Sequence, residues 1–61
     1  MTTLPADTIA AVRALVDQGS EARAATELGV SRQTLARIIA GLPVQPGTAA
    51  LVRERMTERR M

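Results

Sequence analysis

The chain contains no cysteine and no histidine. No disulfide or thiolate metal site can reinforce it, and the commonest metal ligand and general base is missing. It also lacks phenylalanine, tryptophan and tyrosine. Its core must therefore come from Leu, Ile, Val, Met and Ala, and readers of RNA or single strands, which stack bases on aromatic rings, are disfavoured. Lysine is absent too, so all 8 basic residues are arginine. The forked guanidinium suits phosphate and guanine, although codon bias in a GC-rich genome leaves the same trace. The longest uninterrupted apolar stretch, Ile38 to Val44, contains Gly41 and Pro43 and is too short and broken to span a bilayer. Residues 1–5 hold no charged segment leading into an apolar one, so no secretory signal is expected. The expected location is the cytoplasm, at the nucleoid.

Catalysis finds little support. Glu54 and Glu58 are four apart on one helix face. No His, Cys, Lys or glycine-rich phosphate loop accompanies them, and the flanking arginines fit a solvated charged face better. No catalytic residue, metal ligand, cofactor or small-molecule ligand is assigned.

What remains is a chain of 61 residues, 46% hydrophobic, expected to form one domain over residues 1–61. A core this small supplies only about 3–5 kcal/mol, and self-association is one natural remedy. The net charge of +2 is unevenly spread. Residues 1–19 carry Arg13 against Asp7 and Asp17, and residues 20–30 carry Arg23 against Glu21 and Glu27, so each segment is −1. Residues 31–50 carry Arg32 and Arg37 with no acid, and residues 51–61 carry Arg53, Arg55, Arg59 and Arg60 against Glu54 and Glu58, so each is +2.

Gly and Pro divide the chain into four helical segments, and the spacing predicts an all-α compact bundle of short helices. The first runs from about Asp7 to Gln18, with Ile9, Val12, Leu15 and Val16 on one stripe and Gly19 as the left-handed residue that ends it. Ser20 caps a second helix, Glu21 to Leu28, whose inner face is Ala24, Ala25 and Leu28. Gly29 stops it, and Ser31 caps a third, Arg32 to Ala40, which buries Leu35, Ile38 and Ile39 before Gly41. After a Leu42–Gly47 loop, a fourth helix starts between Pro46 and Thr48. Either Thr48 caps it or Pro46 occupies its first turn. Ala49, Val52 and Met56 form its inner face with Leu51 alongside, and Glu58 to Met61 are expected to fray.

The stretch EARAATELGVSRQTLARIIA, Glu21 to Ala40, carries the functional signal. A tight bihelical turn needs a small residue where the helices cross (Ala25) and a positive-φ residue between them (Gly29). It needs an apolar plug (Val30), a cap that restarts the helix (Ser31), and buried residues three apart on the second helix (Leu35 and Ile38). All five requirements are met in register, and no charge falls on an inner position. The pattern predicts a helix-turn-helix over residues 20–41.

The segment resembles the helix-turn-helix of the phage lambda repressor and Cro-like family. The matching residues are Ala25, Leu28, Gly29, Val30, Ser31, Thr34, Leu35, Arg37, Ile38 and Gly41. The resemblance is specific over about Ser20 to Gly41. It implies that the second motif helix is a recognition helix, with Arg32, Gln33 and Arg37 at base-reading positions and Ala36 on the same face. The family often carries Gln where Glu21 stands, and its domains commonly have five helices.

Double-stranded DNA is therefore the expected partner, read by a helix of about nine residues and roughly 13 Å. Arg can pair with guanine, Gln with adenine, and the Ala36 methyl can meet a thymine methyl. Ser20, Arg23, Ser31 and Thr34 are candidates for phosphate contacts at helix N-termini. Each has a plainer role: both serines are caps, Thr34 can bond within its own helix, and Arg23 can pair with Glu27. One module makes few contacts, so a homodimer on an inverted repeat is expected, with recognition helices about 34 Å apart. Leu42, Val44 and Met56 are its candidate interface, Met56 being equally suited to the core. A small repressor controlled by its own concentration is the expected role. The rival reading is a protein-interaction module of the same fold that does not bind DNA.

Overall fold

The computed structural model describes residues 1–60, Arg60 by its backbone alone. It forms four helices: α1 (Ala6–Gln18), α2 (Glu21–Leu28), α3 (Arg32–Ile39) and α4 (Pro46–Arg60). The boundaries of α2 and α3 follow from their caps. Ser20 is extended and its Oγ accepts the Arg23 N–H at 3.1 Å, satisfying one of the donors a helix start leaves open. Ser31 does the same for the Thr34 N–H at 3.1 Å and donates to Thr34 Oγ1 at 3.0 Å.

Both helices end in the same paired arrangement. After α2, Val30 N–H reaches Ala25 O at 3.0 Å and Gly29 N–H reaches Thr26 O at 3.2 Å, with Gly29 at φ 72°. After α3, Leu42 N–H reaches Arg37 O at 2.9 Å and Gly41 N–H reaches Ile38 O at 3.0 Å, with Gly41 at φ 77°. These are left-handed terminations in which two late carbonyls find donors just past the helix. Closure on Gly41 makes Ala40 the cap of α3 and not its last helical residue.

α1 departs from expectation at both ends. It begins one residue early, at Ala6, with Pro5 as its N-cap at φ −58° and ψ 150°. Gly19 ends it without the expected left-handed turn: its φ is −150°, and its N–H bonds Val16 O at 3.2 Å. Only Gly19 and Ser20 separate α1 from α2, and Ser20 is already extended to cap α2, so no room remains for the longer turn. In α4, Pro46 takes the first turn, and Ala49 N–H bonds Gln45 O at 2.9 Å. Thr48 lies inside the helix. α4 continues through Glu58, Arg59 and Arg60, where fraying was expected; Met61 lies outside the described residues.

The core gathers the inner stripes: Val12 and Leu15 from α1, Ala24, Ala25 and Leu28 from α2, Leu35 and Ile38 from α3, and Ala49, Val52 and Met56 from α4. Ile9, Val16, Val30 and Ile39 pack at its edge. α3 rests on α1 and α2, and α4 closes over α1 and α2. No polar or charged residue is buried among the described residues. The Cα radius of gyration is 10.1 Å, against about 10.5 Å for a folded chain of this length.

The N-terminal residues make a contact that periodicity did not anticipate. Thr2 and Val44 form an isolated antiparallel pair, each N–H bonding the other's carbonyl at 2.7 Å. This closes the Leu42–Gln45 loop onto the start of the chain and carries Leu4 and Val44 into the core. Apart from that bridge the described residues hold no strand, and none of their helices is long and apolar enough to cross a membrane.

Candidate nucleic-acid interface

α3 has two opposed faces. Leu35 and Ile38 are each 1% exposed and hold it in the core. Arg32, Gln33, Ala36 and Arg37 are exposed along the other side. An eight-residue helix with a leucine and an isoleucine inward must present these four outward, because positions i, i+1, i+4 and i+5 fall within one side of a 3.6-residue turn. No acid lies in α3.

At the start of α3 the nearest opposite charge is Glu21, in the first turn of α2. Its Oε2 stands 3.9 Å from Arg32 Nη2, and both side chains are largely in solvent. Such a pair adds little stability. It does set a carboxylate beside the arginine that leads the exposed face. Ser20, Arg23 and Ser31 are exposed at the N-termini of α2 and α3, with Thr34 half-buried next to Ser31. The serines act as caps, as their local sequence implies, and Arg23 Nε pairs with Glu27 Oε1 at 3.5 Å. Glu27 also receives Arg59 Nη1 at 3.2 Å, which links α2 to α4.

Arg37 is exposed but not idle. Its Nε and Nη2 donate to the Pro43 carbonyl at 3.2 and 2.8 Å, so the side chain braces the loop after α3 and keeps Nη1 for another acceptor. Beside it lies a shallow groove lined by Met1, Thr34, Arg37, Val44, Gln45 and Thr48. Gln45 and Thr48 extend the polar surface of α3 toward α4. Neither is a site residue by sequence reasoning: Gln45 lies in the loop placed by the Thr2–Val44 pair, and Thr48, a candidate cap, lies in the first turn of α4.

The three residues expected at a dimer contact are not brought together as one exposed surface. Val44 is 3% and Met56 8% exposed, both inside the chain's own core, while Leu42 is 46% exposed. Val44 is drawn inward by its pairing with Thr2, and Met56 completes the inner stripe of α4. Only Leu42 has surface to offer a second copy. Among the described residues no three carboxylates gather in one place.

No protein-family model, curated protein or solved structure matches the chain.

Proposed function

We propose that this protein is a sequence-specific DNA-binding domain of the lambda-repressor-like helix-turn-helix type, acting as a small transcriptional repressor. α3 enters the major groove. Arg32 and Gln33, in its first turn, meet base edges, Ala36 follows, and Arg37 steadies the loop behind them while keeping a donor for DNA. Ser20, Ser31, Thr34 and Arg23 lie along the phosphates on either side of the groove. The observation that carries the reading is the acid-free outer face of α3, left uncovered by the fold and flanked by two serine-capped helix N-termini.

Two copies occupy an inverted repeat, with centres one helical turn apart. With Val44 and Met56 enclosed, the contact between copies falls to Leu42 and its loop. That apolar area is small, so the copies are separate in solution and pair on DNA.

Selection from random duplexes followed by a salt titration tests this. An enriched inverted repeat, and a log–log salt slope of about −3 to −4 per copy for four phosphate contacts, is the expected result. Indifference to every duplex at low salt would remove the proposal and leave a protein partner as the occupant of the α3 face.

A further inference from the structure

α3 is gripped at the end remote from Ser31. Arg13, on α1, donates two hydrogen bonds to the Ile39 carbonyl, from Nε at 3.0 Å and from Nη2 at 2.6 Å. Ile39 is the last residue of α3, so its carbonyl is one that the helix itself leaves without a donor. The turn after α3 satisfies Arg37 O and Ile38 O through Leu42 and Gly41. The Ile39 carbonyl is taken up by Arg13, 26 residues earlier in the chain. A cation there also meets the negative end of the helix dipole. The contact lies away from the Arg32–Gln33 end.

The lever arm matters. Binding groups must be held within about 0.5 Å and 10–20° of their working geometry. α3 is about 12 Å long at about 1.5 Å per residue, so a 10° swing about its C-terminus moves its first turn by about 2 Å. Leu35 and Ile38 resist lifting α3 off the core. They oppose a pivot less, because both lie nearer the C-terminus than Arg32 and Gln33.

We infer that Arg13 is a positioning residue for DNA reading: it fixes the C-terminus of α3 on α1 and so sets the tilt at which Arg32 and Gln33 reach the bases, without touching DNA itself. The inference rests on the proposed function. It predicts that removing Arg13 damages discrimination between sequences more than attraction to DNA, since attraction comes from phosphate contacts that tolerate small tilts.

The test uses fluorescence anisotropy on the selected duplex and on a scrambled duplex of equal length. It compares the wild type, R13Q, R13K and R55Q, with circular dichroism confirming the folded state. Arg55 is exposed on α4, so R55Q matches the charge lost in R13Q. R13Q should bind the selected duplex about tenfold more weakly than R55Q and the scrambled duplex equally well. R13K, which keeps the charge but offers one donor nitrogen in place of two, should fall between R13Q and the wild type on the selected duplex. R13Q matching R55Q on both duplexes overturns the inference, as does an equal loss on both, which would make Arg13 a phosphate contact or a fold determinant. If R13Q does not fold, R13K decides alone: full wild-type discrimination in R13K rejects the two-donor clasp. A wild type that binds neither duplex defeats the DNA reading itself, a separate failure from the other outcomes.

Discussion

Two glycines, Gly29 and Gly41, hold φ at 72° and 77°, where a residue bearing a Cβ is disfavoured by about 1–2 kcal/mol. A Cβ added at Gly29 would meet Leu51 Cδ2 at 3.7 Å, an ordinary contact, and one at Gly41 would meet nothing within 4 Å. Neither G29A nor G41A therefore carries a steric clash, and each isolates the handedness of the backbone. Gly47, in the first turn of α4, also has open space around it and no positive φ. There alanine restricts the unfolded chain at no native cost and should stabilise by about 0.4–1 kcal/mol. At about 4–8 °C per kcal/mol for a domain of this size, G29A and G41A should each lower the melting temperature by about 4–16 °C, and G47A should raise it by about 2–8 °C. G29N should lose less than G29A, since asparagine tolerates the left-handed region. Thermal melts followed by far-ultraviolet circular dichroism decide the matter. A G29A protein melting at or above the wild type would refute the left-handed link between α2 and α3, and with it the arrangement that aims α3.

Three further outcomes follow from the same geometry. E21Q removes the carboxylate beside Arg32 and should tighten duplex binding about 2- to 5-fold near 0.05 M salt, the gain shrinking as the screening length falls below about 10 Å; equal affinities in anisotropy would mean that Glu21 faces away from the phosphates. L28A deletes a side chain with no exposed surface, at a cost of about 2–5 kcal/mol against a total of about 3–5, so its amide spectrum should collapse at 25 °C while that of I38V, about 0.5–1.5 kcal/mol weaker, stays dispersed. L42S alters an exposed side chain and should leave stability within about 0.5 kcal/mol yet abolish two-copy cooperativity on the inverted repeat in a native gel; unchanged cooperativity would move the contact between copies to another face.

The middle of the chain was the most legible. Ser20, Gly29, Ser31 and Gly41 act on neighbours within a few residues, so α2 could be bounded from sequence at both ends and α3 to within one residue. The outward face of α3 was legible for the same reason, because placing Leu35 and Ile38 inward determines what faces out. What escaped was non-local. The Thr2–Val44 pair joins segments that share no periodicity, and with it went the burial of Leu4 and Val44 and the polar groove at Gln45 and Thr48. The destinations of Arg13 and Arg37 escaped too, since each bonds a backbone carbonyl and carbonyls leave no mark on the residue type that bears them. Gly19 shows the remaining limit: a glycine after a helix suggests a left-handed turn, but the two-residue link to α2 had no space for one.

The Thr2–Val44 bridge also bears on the DNA binding proposed above. It pins the circuit containing α1, α2 and α3 at both ends, and closing a circuit of that length costs about 3 kcal/mol of chain entropy, spent at folding. Under the proposed function, a duplex would meet a surface that is already set and dock on it as one rigid body on another. The heat-capacity change on association should then report the covered surface alone, with no contribution from segments ordering as they bind.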